Sequence, residues 1–464
     1  MPDPVQLLAP LALLPHGWEE NVRIAVDATG AIVGAGATRG VPEGGARRLD
    51  GPVIPGMANL HSHAFQRAMA GLTERRSGDA ESFWTWRDTM YRFVSLLEPA
   101  HIEAIASQLY VEMLEAGYTG VAEFHYLHHQ HNGQAYAALT ETSQRIVAAA
   151  KRTGIRLTHL PVLYTQGGFG GKPLSAEQRR FGNSVEQFGR LMDELHAAYA
   201  QDPGVRLGLG LHSLRAVDTE SLCRVADHVS TLDNPAPVHI HVAEQMREVE
   251  ECLAYCGRRP VEYLFDSVGV DERWCLVHAT HVNDGEINAM VASRAVAGLC
   301  PTTEANLGDG TFPAAEFLQR GGRFGVGSDS HVSVSPTEEL RLLEYGQRLA
   351  HRRRAVLASG QQPSTGRNLY QSAARGGAQA LGIFAGELKA GACADFVVLD
   401  AECPALYGRH GDALLDAALF AGDRSVIGSV WVGGREVVSN GAHSMRESIF
   451  NRYKSTLDAL MRAQ

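Results

Sequence analysis

The chain has 464 residues, 45% of them hydrophobic and 20% charged, with a formal net charge of −10. This is apolar mass for two or three domains, or for one α/β barrel of about 250 residues or more with an appended unit. The acidic balance excludes phosphate-backbone binding, so no nucleic-acid partner is expected.

The apolar stretch from Val5 to Leu14 contains Pro10, precedes Pro15 and lacks a basic lead-in, so it reads as neither a signal peptide nor a membrane span. Residues 21–36 alternate as two short strands about an Asp-Ala-Thr-Gly turn. An apolar run at 53–60 follows and closes on His61 and His63. The stretch from Ala64 to Glu98 is too long for an ordinary βα loop and is expected to form a lid or pocket wall. Seven further apolar runs follow, at 119–125, 155–164, 205–213, 237–244, 274–280, 295–301 and 322–330, separated by connecting stretches, several with helical spacing. Near-continuous apolar strands alternating with helices indicate a parallel sheet buried on both faces, and eight of them a (β/α)8, TIM-like barrel. The Gly-rich segment 166–173 reads as a mobile loop. Residues 392–400 and 425–441 are again β-rich. The predicted organisation is an α/β chain with a small β domain built from both termini (1–52 and 386–443), a barrel (53–385) and a C-terminal helix (444–464). Seven scattered cysteines form no disulfide framework and suit the cytoplasm; Cys252 and Cys256, four apart on a predicted helix, read as buried small apolar residues before a redox or metal pair.

The polar residues at the strand ends carry the functional reading. Taken to their C-terminal ends, six of the eight runs yield His61 and His63, Glu123 and His125, His212, His241, His278 or Asp329. A barrel interior favours Val, Ile and Leu, so imidazoles and carboxylates gathered at one end need a purpose. For one histidine, a hydrogen bond to a backbone carbonyl would suffice as an explanation; for five of eight strands together with an aspartate it does not. His61 and His63, spaced by two, project from one face of a strand. A zinc ion would take these two with one further histidine and a carboxylate, for which His241 and Asp329 are the expected residues, leaving a position open for water. His239, one pleat deeper, reads as a packing residue. The chain has only four lysines (151, 172, 389, 454) and none ends a strand, so a bridging carbamylated lysine is not expected and one Zn2+ per chain is.

His61-x-His63, His241-x-x-Glu244, His278 and Ser328-Asp329, in this order, resemble the amidohydrolase superfamily in its single-metal deaminase branch, over essentially the whole chain. The resemblance implies the barrel with a β-sandwich domain. More narrowly, Asn59-Leu-His-Ser-His-Ala-Phe-Gln66-Arg67, Ser82-Phe-Trp84-Thr-Trp86-Arg87 and Glu123-Phe-His125-Tyr126 resemble the formimidoylglutamate deiminase (N-formimino-L-glutamate iminohydrolase) family. That family converts N-formimino-L-glutamate and water to N-formyl-L-glutamate and ammonia in bacterial histidine degradation.

Addition of water to a C=N carbon needs a nucleophile at neutral pH, and zinc brings the pKa of bound water toward about 7. Asp329 is expected to accept the water proton and pass it on. Glu244 is placed to exchange a proton with the imine nitrogen; as a structural residue it would only complement a helix N-terminus. His278 would stabilise charge at the tetrahedral carbon, or else bond a backbone carbonyl. Arg87 and Arg215 suit the two carboxylates of a glutamate derivative, although either could be a surface residue. Gln66, Tyr126 and His212 complete the expected substrate set, and Trp84 and Trp86 read first as packing. The expected partner is a small anionic substrate, and a homodimer is the expected assembly. The rival readings are a deaminase or chlorohydrolase of a purine, pyrimidine or triazine ring, and a non-catalytic barrel. The latter predicts broken metal or proton-transfer positions, and none is broken here.

Overall fold

In the computed structural model, residues 4–38, 45–74, 83–230 and 236–463 are described, with the backbone alone at 83–85 and 228–230. Each of the eight predicted runs holds a parallel strand of one sheet. These are β1 (Met57–Ser62), β2 (Tyr118–His125), β3 (Arg156–Leu163), β4 (Leu209–Ser213), β5 (Val238–Val242), β6 (Trp274–His278), β7 (Val296–Leu299) and β8 (Arg323–Val326). They pair in chain order. Val205–Leu207 pairs separately with β3, because the run at 205–213 breaks at Gly208. The ring closes between β8 and β1 by a single bridge, Ser62 to Asp329. There the two backbones touch: a Cβ on Gly327 would lie 2.8 Å from His61 N, so only glycine fits the seam. The fold is thus the expected (β/α)8 barrel.

The second sheet draws on both ends of the chain. Its strands run in the order Ala442–His443, Arg435–Ser439, Ile427–Val432, Phe396–Leu399, Val53–Pro55, Val5–Leu14, Gly17–Val26, Ile32–Ala37, with Arg47–Arg48 beside Val5–Leu14. Pro10 is tolerated within Val5–Leu14 because its parallel neighbours register only at Leu7–Leu8 and at Ala12. Leu7, Ile24, Phe396 and Trp431 fill this sheet's own core.

Two expectations change. The run at 53–60 is two strands, since Val53–Pro55 pairs with Phe396–Leu399 in the terminal sheet and the barrel strand begins at Met57. The chain changes sheets at Gly56, where a Cβ would lie 2.3 Å from Thr119 Oγ1. The Gly-rich loop at 166–173, expected to be mobile, is anchored: Gln166 N–H bonds Ala216 O and the buried Phe169 stacks on Tyr255 with ring centres 5.5 Å apart.

Helices cover the barrel in the usual amphipathic manner. The helix Val185–Tyr199 starts where Ser184 Oγ accepts the Gln187 N–H at 3.2 Å, a cap whose loss costs about 1 kcal/mol. The final helix, Arg446–Ala463, packs on Pro99–Glu115 and binds it through Arg452 to Glu103 at 2.8 Å. Along the barrel strands, Leu60, Phe124, Leu211 and Leu276 are fully buried, each contributing about 1.5–3 kcal/mol. Among the described residues no helix is long and apolar enough to cross a membrane.

Candidate active site

Three strand ends converge at the C-terminal mouth of the barrel. His61 Nε2 lies 3.1 Å from His63 Nε2 and 2.9 Å from His241 Nε2. Asp329 Oδ1 lies 3.3 Å from His63 Nε2 and 3.6 Å from His61 Nε2. His63 Nδ1–H donates to Phe124 O at 2.9 Å and His241 Nδ1–H to His212 O at 2.8 Å. Both rings therefore present a bare Nε2 lone pair to the centre, and one proton on His61 Nε2 cannot serve both. Burial holds His61 and His241 well below the ordinary imidazole range and pushes His63 down to about 3, so all three stay neutral. Neutral imidazoles with converging lone pairs beside a carboxylate repel one another unless a cation sits between them. The four donor atoms lie within 4.8 Å of one another, and the residues fit a divalent metal.

His278 and Glu244 flank this group. His278 Nε2 lies 3.7 Å from Asp329 Oδ2 and 3.9 Å from Glu244 Oε1. Its Nδ1 meets Glu304 Oε1 at 3.3 Å. Burial pulls His278 down, but Glu244, Glu304 and Asp329 outweigh it and raise it to about 10. Burial also pushes Asp329 up, to about 7, with His278 opposing and Glu244 and Glu304 adding to the rise. Glu244 is buried on the turn after β5, where Glu248 Oε1 and Oε2 accept the N–H groups of Ala243 and Glu244 at 3.1 and 3.2 Å. Ala243, His278, Ala279, Asp329 and His331 all have φ between +43° and +66°. Left-handed non-glycine residues cost of order 1–3 kcal/mol each, and such strain collects where side chains are aimed at a ligand.

A cavity opens directly over this cluster. Its wall includes His63, Gln66, Arg87, Tyr126, His212 and Glu244, with Trp86, Met90, Tyr91, Tyr164 and Phe181 alongside. Gln66 Nε2 donates to Tyr126 OH at 3.0 Å, and its buried Oε1 has no partner. Arg87 lies over the Tyr91 ring at 5.5 Å, on the helix Phe83–Val94, so the long insertion does build a wall of the pocket. Ser82 and the Trp84 side chain lie outside the described residues. Arg215 is half-buried and sits beside Glu248, Glu244 and Tyr164, next to the cavity wall.

Three polar strand-end residues stand apart. Glu123 and His125 turn outward from β2 toward the helices: Glu123 takes hydrogen bonds from Ser62 and Tyr110, and His125 bonds Thr142 Oγ1 at 3.0 Å. Phe124, between them, faces the metal-site rings. His239 bonds Ala380 O at 2.8 Å, as a packing residue would. Sequence reasoning did not single out Glu248, Glu304, Tyr91, Tyr164 or Phe181. Both glutamates sit in ordinary helical segments, and nothing in their spacing marks them. Cys252 is buried and Cys256 half-buried, with sulfurs 3.9 Å apart and both thiols free.

A barrel with such a cluster at its mouth defines a metal-dependent hydrolase. Residues 53–437 match the amidohydrolase family model, and the chain belongs to that family. A formimidoylglutamate deiminase of Pseudomonas aeruginosa is 52% identical, over 98% of this chain and 99% of its own. The crystal structure of an amidohydrolase from Brucella melitensis superposes with a TM-score of 0.91 at 48% identity, covering 98% of this chain and 100% of that one. A 5-methylthioadenosine/S-adenosylhomocysteine deaminase of Natronomonas pharaonis is 27% identical over 94% of this chain and 93% of its own.

Proposed function

We propose that this chain hydrolyses N-formimino-L-glutamate to N-formyl-L-glutamate and ammonia, the reaction of histidine degradation. One observation carries the reading: a His/His/His/Asp donor set flanked by Glu244 and His278, in a chain 52% identical end to end to a formimidoylglutamate deiminase.

In this reading His61, His63, His241 and Asp329 hold one Zn2+ per chain, a three-nitrogen, one-oxygen set that suits zinc. The ion supplies Lewis acidity, bringing the pKa of water toward about 7. Asp329, whose Oδ2 faces His278, accepts a proton from the attacking water. Glu244 protonates the imine nitrogen as the water oxygen adds to the formimino carbon, and His278 stabilises the negative charge that develops on that oxygen. The tetrahedral hydroxyl then returns a proton to Glu244, the proton held by Asp329 passes to the nitrogen, the C–N bond breaks as the formyl C=O forms, and ammonia leaves. Glu248 holds the turn that carries Glu244, and Glu304 orients His278. Arg87 and Arg215 take the substrate carboxylates. The unpartnered Gln66 Oε1 accepts a substrate N–H, beside Tyr126 and His212. We further expect a homodimer working in the cytoplasm, where seven free thiols stay reduced.

The test is ammonia release from N-formimino-L-glutamate beside adenosine, S-adenosylhomocysteine and 8-oxoguanine. Turnover of the formimino substrate alone is expected. Preferential turnover of a ring substrate would replace this reading with that of a ring deaminase.

A further inference from the structure

The weakest point of the barrel is the seam between β1 and β8, which shares one bridge between Ser62 and Asp329. That seam also delivers three of the four metal donors, His61 and His63 from one side and Asp329 from the other. The backbone contributes little besides Asp329 N–H to His61 O at 3.0 Å and His63 N–H to Asp329 O at 3.3 Å. Outside the ring of donors, five side chains cross the seam in a continuous run. Asn59, Ser62, Glu123, Ser328 and His331 are each at most 1% exposed, so no bulk water competes for their bonds.

The order of protons along this run is fixed by chemistry. An amide NH2 can only donate, so Asn59 Nδ2 gives a proton to Ser328 Oγ at 2.6 Å. At the other end Glu123, whose carboxyl burial raises to about 7, accepts at Oε2 the Ser62 Oγ–H at 2.5 Å and the Tyr110 O–H at 3.2 Å. Ser62 Oγ then accepts from His331 Nε2–H at 3.1 Å, which leaves His331 Nδ1 to accept from Ser328 Oγ–H at 2.9 Å. Each serine hydroxyl donates once and accepts once. Two further grips tie the run to the backbone: Asn59 Oδ1 accepts Ser328 N–H at 3.1 Å, and Glu123 Oε1 accepts Ala64 N–H at 2.7 Å. Glu123 thus holds the residue before His63 and the residue after it. The run links β1, β8 and β2, and its anchor on β2 flanks Phe124, whose carbonyl orients the His63 ring.

We infer that Asn59, Ser62, Glu123, Ser328 and His331 are positioning residues for the metal centre, a one-directional hydrogen-bonded belt that closes the barrel seam and fixes the spacing of His61, His63 and Asp329. This rests on the reading that those residues, with His241, hold a divalent ion. The belt acts through the donors and touches no substrate. A belt that only satisfied buried polar groups would affect the stability of the metal-free protein and leave its affinity for metal unchanged.

Metal-free protein is titrated with Zn2+ against a chromophoric chelator, and with Co2+ while its visible spectrum is recorded, after near-UV circular dichroism establishes that each variant is folded. Ser62→Ala, Ser328→Ala and Glu123→Gln should each bind Zn2+ about 10 to 100-fold more weakly, with an altered Co2+ spectrum. If Glu123→Gln does not fold, the two alanine variants decide. Zn2+ affinity within two-fold of the parent and an unchanged Co2+ spectrum in those variants overturn the belt, whatever happens to the thermal midpoint. His241→Ala separates the two readings. If it loses Zn2+ while the belt variants do not, the belt alone is wrong; if it too binds normally, the ligand assignment falls.

Discussion

Two groups of histidines near the mouth of the barrel occupy opposite faces of its strands. His61, His63 and His241 point inward, with ring nitrogens 2.9–3.1 Å apart and two of the three rings oriented by carbonyls. His125, His128 and His159 lie on the outer side, ring centres 5.5–5.6 Å from one another along the series, each next to helices or connecting loops. His159 has no partner on either ring nitrogen. Both groups are buried and neutral, and both sit on strands or just beyond them. Convergence of lone pairs on one point, beside a carboxylate, makes the first group a metal site; scattered orientation makes the second group packing.

The largest expected effect lies on the inner side. Glu244→Gln should keep the metal and lose about 10²–10⁴ in turnover, because an amide matches the carboxyl in size but carries no proton. Parallel metal analysis and ammonia-release assays check this; near-normal turnover would return Glu244 to a structural role. Next comes the substrate end. Arg87→Met should cost about 1.5–3 kcal/mol, or roughly 10 to 150-fold in kcat/KM, with metal content intact. The loss should shrink on an analogue lacking the matching carboxylate. Equal losses on both substrates would mean that Arg87 only supports the helix Phe83–Val94. The same comparison applies to Arg215→Met.

The effect on the outer side is nil at neutral pH and appears only in acid. Burial pushes His159 down to about 3, below the 6.5 of the unfolded chain. Its contribution is therefore complete above pH 6.5 and is lost as the pH falls toward 3, at up to about 1.4 kcal/mol per pH unit. His159→Leu removes that loss, so its unfolding midpoint in acid should move to lower pH while metal content and turnover at neutral pH stay unchanged. If His159→Leu instead lost metal, the distinction between the two faces would collapse.

The residues differ in how plainly the sequence announces them. His61-x-His63 is legible because side chains two apart share a face, and His241, His278 and Asp329 because each ends an apolar run. The inward or outward facing of Glu123 and His125 is not legible. A parallel strand is apolar on both faces, so the alternation that marks the buried side of an antiparallel strand is missing. The strand Val5–Leu14 is not legible in the sequence, because Pro10 interrupts its apolar run; neither parallel neighbour registers at Pro10. Glu248 and Glu304 lie on helices whose patterns are unremarkable, and Tyr91, Tyr164 and Phe181 reach the cavity from three separate parts of the chain. Such convergence exists only in three dimensions.

The central claim is that one ion, held by His61, His63, His241 and Asp329, is what deimination requires. Metal-free protein titrated with Zn2+, with ammonia release from N-formimino-L-glutamate followed at each addition, tests it most directly. Activity should rise from nothing and break sharply at one equivalent per chain. A break at two equivalents, or full activity before any metal is added, would contradict it.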